Sequence, residues 1–225
     1  MLAAKLAEVR ARIDKAAHRA GRNSGEITLV GVSKTVGREA IVEAYQAGLR
    51  DFGENRVGDM EEKFNPLPYP AGMARLHLIG HLQSNKARRA VALADMIHSV
   101  DSARLAQVIN RHAQELGKVV PILLEVNVSG EATKAGLIPA ELAPTLADIL
   151  PLANIELRGL MTMAPYTDQP EAIRPVFAGL RELFERYNPG LATWRDLSMG
   201  MTNDFEVAIE EGATLVRVGR AIFNY

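Results

Sequence analysis

Ile27-Thr28-Leu29-Val30-Gly31-Val32-Ser33 is an apolar, β-branched run closed by Lys34, and a helical pattern over 38–47 carries the chain to a second β-rich run at 50–53. Parallel strands need a crossover connection, and a helix of this length is the usual one. Outward from this unit, further β-rich runs fall near 75–79, 96–100, 120–127, 155–162, 195–198 and 214–218. Helical patterns at 56–64, 85–94, 102–117, 139–149, 170–187 and 202–211 separate them. Eight strands alternating with helices, with no linker or composition break, predict one (β/α)8 TIM-type barrel domain over residues 1–225. An open doubly wound sheet is the alternative.

Before the first strand, Leu2, Leu6, Val9 and Ile13 recur at helical spacing among Lys5, Glu8, Arg10 and Asp14, an extra amphipathic helix. Its acidic residues disfavour a mitochondrial transit helix, and its broken apolar pattern is no secretory signal. No helix is expected after the eighth strand, because the chain reaches Tyr225; the N-terminal helix is expected to cover that gap. Asn65-Pro66-Leu67-Pro68-Tyr69-Pro70 reads as a proline-stiffened loop.

The 225 residues carry a formal net charge of −1, so the chain offers no general attraction for nucleic acid or anionic lipid. No apolar run approaches the length of a bilayer span, and no membrane partner is expected. The lack of cysteine excludes disulfides, thiolate-bound zinc and iron–sulfur clusters, and fits a reducing compartment. The expected setting is cytoplasmic and the expected state a monomer.

Lys34 shares a strand face with Val32 and Val30. If those valines fill a barrel interior, the amine sits at the C-terminal mouth over an apolar floor, where desolvation would favour its free form. The plain alternative is a strand-end lysine reaching water. Phosphates in barrels often sit at the loops after strands seven and eight. Ser198-Met199-Gly200-Met201-Thr202 and Val218-Gly219-Arg220 occupy those places. Ser198 and Thr202 offer hydroxyls, Gly200 and Gly219 close backbone approach, Arg220 charge, and a helix starting near Thr202 or Asn203 its positive end. Asn203 with Glu206 also resembles a capping box, which would explain the segment structurally. An amine with a distant phosphate cradle suits a phosphorylated aldehyde, with pyridoxal 5′-phosphate (PLP) the leading candidate.

Arg217 lies inside the last strand and needs a partner there, either a carboxylate within the barrel or the ring nitrogen of a pyridine cofactor. A guanidinium stays protonated, so such a nitrogen would act only as acceptor and the ring would be a weaker electron sink. Asn55, after the second strand, could contact the ring hydroxyl or the imine region. His77 and His81 lack the glutamate of a zinc-protease helix, so no metal is expected. Lys86, Arg88 and Arg89 read as a solvated helix face, and Lys134 as a loop lysine that could pass on an aldehyde.

With Val32-Ser33-Lys34-Thr35, Phe52-Gly53-Glu54-Asn55, Ile79-Gly80-His81-Leu82-Gln83-Ser84-Asn85-Lys86, Leu197-Ser198-Met199-Gly200-Met201-Thr202-Asn203-Asp204 and Val216-Arg217-Val218-Gly219-Arg220-Ala221-Ile222-Phe223, the sequence resembles the PLP homeostasis protein family (YggS/PROSC) over residues 5 to 223. Arg158-Gly159-Leu160-Met161 fits as well. The resemblance implies a barrel similar to the N-terminal domain of alanine racemase and PLP held as a Schiff base (imine) on Lys34. It implies phosphate binding by Ser198 to Thr202 with Gly219 and Arg220, and Arg217 facing the pyridine nitrogen. It also implies a non-catalytic carrier or buffer of PLP in vitamin B6 and amino-acid homeostasis, with no catalytic residue and with PLP-dependent apo-enzymes as candidate recipients. Val36, Arg56 and the tail Asn224-Tyr225 depart from the pattern.

Two enzymatic readings stand beside the carrier. A PLP-dependent racemase- or lyase-like enzyme needs a second proton donor opposite Lys34. Alanine racemases take theirs from an added domain, the chain is expected to end with its barrel, and Tyr45, Tyr69 and Tyr166 give no clear substitute. A sugar-phosphate enzyme forming an imine on Lys34 would use the same cradle.

Overall fold

Strands β1 (Thr28–Val32), β2 (Asp51–Glu54), β3 (Arg75–Leu78), β4 (Met96–Val100), β5 (Val120–Glu125), β6 (Ile155–Met161), β7 (Asp196–Ser198) and β8 (Leu215–Val218) close in sequence order into one parallel barrel. This is seen in the computed structural model, which describes residues 2–131 and 134–223. β8 returns to β1 with Val30 opposite Arg217, which excludes the open-sheet alternative. Each strand lies within two residues of its predicted bounds. Helices α1 (Leu2–Arg19), α2 (Arg38–Gln46), α3 (Val57–Phe64), α4 (Ala87–Leu93), α5 (Ala103–Glu115), α6 (Leu142–Ile149), α7 (Arg174–Arg186) and α8 (Phe205–Glu210) alternate with the strands. One expectation fails, since the single-turn α9 (Arg220–Phe223) follows β8.

Strand alternation divides the core in two. Val30, Met96, Leu123, Met161 and Leu215 pack together inside the barrel, while Phe52, Leu76, Ile97, Val216 and Val218 belong to the larger core beneath the helices. α1 buries Leu2, Leu6, Val9 and Ile13 and packs against α8, α9 and α2, covering the gap as expected. Its polar side ties down α8: Arg12 pairs with Glu206 at 3.1 Å and lies over the Phe205 ring, and Arg19 pairs with Glu210 at 2.8 Å. Arg22, just beyond α1, donates to the carbonyls of Ile209 and Ala213, both at 2.9 Å. Cations at a helix C-terminus satisfy carbonyls that the helix leaves unpaired.

Candidate functional site

A cavity of about 560 Å³ opens at the C-terminal mouth of the barrel, a size typical of small-molecule sites. Of the residues singled out in the sequence, Lys34, Asn55, Thr202, Arg217, Gly219 and Arg220 all line it. Val32 lines its floor, one strand step above the interior Val30. Lys34 does not close β1 but begins the following turn, and its side chain is exposed. The desolvated lysine expected from the sequence is therefore not found; the amine reaches solvent at the open mouth.

The phosphate segments differ in detail from their expected arrangement. Among the described residues, the amides of Thr202, Asn203 and Gly219 donate to no backbone carbonyl. The Met201 amide instead donates to Asp204 Oδ1 at 2.5 Å. That aspartate precedes α8, which starts at Phe205 and not near Thr202, and the Asn203–Glu206 capping box does not form. Gly200 lies outside the cavity lining. Its φ of +90° and the 2.6 Å that would separate an added Cβ from Ala208 Cβ make it the residue that lets the loop close onto α8. Gly80 plays a similar part across the mouth, where a Cβ would fall 2.3 Å from the Asn55 carbonyl.

Ser198 is fully buried and also absent from the lining. Its hydroxyl accepts from Arg217 Nη1 at 2.5 Å and lies 2.9 Å from His98 Nδ1. Arg217, only 3% exposed, donates its other terminal nitrogen to the Thr162 carbonyl at 2.9 Å. No carboxylate pairs with it directly among the described residues, so the ion-pair alternative is not realised. Burial pulls its pKa down to about 10, against the opposing charges of Asp204 and Glu125, and it stays protonated at neutral pH. Two of its five N–H donors are engaged in this way, which leaves donors for the cavity it lines.

Two carboxylates share this field. Burial raises Asp204, which the Met201 amide and Arg217 hold down. Burial raises Glu125 to about 6; Arg217 opposes, Asp101 adds to the rise, and His81 opposes. The lining itself carries three cations, Lys34, Arg217 and Arg220, against the single carboxylate of Asp204. Such a balance favours a dianionic ligand.

Sequence reasoning missed Met163 and Thr167 and gave Tyr166 no clear role, though all three reach the cavity from the segment after β6; it placed the loop bearing His81 at the same mouth as Lys34, and His81 does line the cavity. His81 faces Asp101 at 3.3 Å, whereas His77 is buried in the barrel. Lys134 pairs with Glu131 at 3.2 Å and donates to the Met163 carbonyl at 3.2 Å, so it adjoins the cavity wall. Arg88 and Arg89 pair with Glu115 and Glu61 on neighbouring helices. Val36 and Arg56 do not line the cavity. The tail Asn224-Tyr225 lies outside the described residues. No helix among the described residues is long and apolar enough to cross a membrane.

The family described as the alanine racemase N-terminal domain matches residues 4–225. The pyridoxal phosphate homeostasis protein of Aquifex aeolicus (strain VF5) is 44% identical over 224 residues, covering 98% of this chain and 96% of its own. PipY of Synechococcus elongatus PCC7942, solved with PLP bound, is 37% identical with a TM-score of 0.85 over 100% of both chains. An alanine racemase of Clostridium difficile 630 shares the fold at 15% identity and a TM-score of 0.72, over 100% of this chain and 56% of its own.

Proposed function

This chain belongs to the alanine racemase N-terminal domain family and, within it, to the pyridoxal phosphate homeostasis proteins, and from that membership we propose that it binds PLP and carries or buffers it without catalytic turnover. The observation that carries the reading is the convergence of Lys34, Thr202, Gly219, Arg220 and Arg217 on one cavity from three separate loops, one strand and the start of α9. The residues fit the group, because unpaired amides and an excess of cationic charge suit its phosphate and an exposed amine stands at the mouth. When bound, the cofactor supplies an aldehyde that an amine can hold covalently and a pyridine ring that can accept electrons.

Lys34 would anchor the aldehyde carbon through its Nζ. The hydroxyl of Thr202, the amides of Thr202, Asn203 and Gly219, and the Arg220 guanidinium would hold the phosphate. Gly200 serves by letting its loop close on α8. Ser198 serves through Arg217, which its hydroxyl orients from beneath. Arg217 would donate to the ring nitrogen, and its retained proton keeps that nitrogen an acceptor. Asn55 would meet the ring from the loop after β2. We further read the protein as a cytoplasmic monomer whose recipients are PLP-dependent apo-enzymes.

A second reading, a racemase- or lyase-like enzyme, draws on Tyr166, whose side chain lines the cavity and is 78% exposed. A phenol there could serve as the second proton donor. Incubating the PLP-loaded protein with a panel of amino acids in D2O separates the two. The carrier reading expects no α-deuterium beyond that produced by free PLP. Exchange that is lost in Tyr166→Phe would establish the enzyme instead.

A further inference from the structure

A line of buried polar side chains crosses the barrel interior beneath the cavity, and the proposed binding of PLP draws only on its first two members, Arg217 and Ser198. From Arg217 on β8 it passes to Ser198 on β7, His98 on β4, His77 on β3 and Asp51 on β2. The contacts are Arg217 Nη1 to Ser198 Oγ at 2.5 Å, Ser198 Oγ to His98 Nδ1 at 2.9 Å, His98 Nε2 to His77 Nδ1 at 2.9 Å and His77 Nε2 to Asp51 Oδ1 at 2.9 Å. All five residues are less than 9% exposed. At the far end, Arg75 also contacts Asp51 Oδ1, at 2.7 Å.

The chemistry of the two ends fixes the two outer bonds, and the cost of the alternatives decides the inner ones. A guanidinium only donates, so Ser198 Oγ must accept from Arg217. An ionised carboxylate only accepts, so His77 must donate to Asp51 through Nε2. If His77 also donated through Nδ1, it would be an imidazolium in the barrel interior, and the Ser198 hydroxyl proton would lose its acceptor. Both costs vanish when each histidine is neutral with its proton on Nε2: Ser198 donates to His98, and His98 donates to His77. Burial favours this state for His98, and the positive charge of Arg217 acts in the same sense.

We infer that Ser198, His98, His77 and Asp51 form a one-way donor chain whose role is to position Arg217, fixing its guanidinium from below so that its remaining donors stay turned to the cavity. Ser198 and His98 are positioning residues in this scheme. Its consequence for PLP rests on the reading that Arg217 faces the cofactor, whereas the donor chain itself does not.

The test uses the full-length protein labelled with 15N-histidine. Long-range proton–nitrogen spectra at neutral pH, without PLP, should give His77 and His98 as neutral Nε2–H tautomers. An Nδ1 proton on His98, or an imidazolium at His77, would overturn the inference. In Ser198→Ala the His98 Nδ1 resonance should move, because it loses its donor. PLP binding in that variant should weaken about tenfold, the effect of losing one hydrogen bond to a charged group. Ser198→Thr, which restores the hydroxyl, should recover the affinity. An alanine variant with unchanged histidine resonances and unchanged PLP affinity would contradict the positioning role. Failure of the wild type to take up PLP would count against the cofactor reading, and the tautomers would then decide the chain. If the alanine variant fails to fold, the wild-type spectrum still decides.

Discussion

Lys34 and Arg217 enter the cavity under opposite conditions, one exposed at the mouth and the other 3% exposed at the floor. Removing the first should cost chemistry but little structure. Lys34→Ala is expected to abolish covalent capture of PLP while leaving part of the phosphate-driven binding, checked by reductive trapping alongside equilibrium dialysis. The buried titratable groups give the protein a pH signature of two opposing parts. His98 has a folded pKa well below its ordinary 6.5, because of burial, with the positive charge of Arg217 acting in the same sense. Below pH 6.5 the unfolded chain takes up a proton that the native barrel refuses, so this contribution to stability is lost as pH falls, by about 1.4 kcal/mol per pH unit. Glu125 acts in reverse. Burial raises it from 4.5 to about 6, so its contribution is present below pH 4.5 and is lost as pH rises to about 6, amounting to roughly 2 kcal/mol. Urea unfolding across this range should show a shallower acid-side loss in His98→Gln and a steeper one in Glu125→Gln. Identical pH profiles for the wild type and His98→Gln would contradict the assignment of a neutral buried His98.

At the scale of elements, the phosphate loop depends on α8, and α8 depends on α1. Gly200 joins loop to helix: an alanine there would meet Ala208 Cβ at 2.6 Å and Phe205 Cα at 2.8 Å, with φ already at +90°. Gly200→Ala should lower stability by about 2–4 kcal/mol and weaken PLP retention with it, measured by urea unfolding and dialysis on the same preparation. Arg22→Ala removes donors from two carbonyls at the other end of α8 and should cost about 1–2 kcal/mol. The existence and order of these elements were legible in the sequence because their hydrophobic periods are strong. The start of α8 was not. Asn203 and Glu206 carry the right letters for a cap, but the Asp204 carboxylate takes the Met201 amide and moves the helix start to Phe205.

For the whole molecule, closure of the barrel decides which distant residues meet. Lys34, Asn55, Thr202, Arg217, Gly219 and Arg220 were readable as one group because each sits at the C-terminal end of a strand, and a (β/α)8 barrel gathers those ends on one face. The pairing of His98 with Ser198, 100 residues apart, was not readable, since it depends on interior register and on bulges in β4–β5 and β5–β6 that no local pattern announces. Tyr166 was likewise hidden, because nothing in the irregular segment after β6 says which way it folds. The same closure places a solvent-exposed amine above a cationic, anion-ready floor, and the central claim is that this amine holds PLP. Its most direct test is borohydride reduction of the PLP-loaded protein followed by peptide mass mapping. The account predicts loss of the visible absorbance and a phosphopyridoxyl group on the peptide bearing Lys34; a protein that takes up no PLP, or a label fixed elsewhere and undiminished in Lys34→Ala, would contradict it.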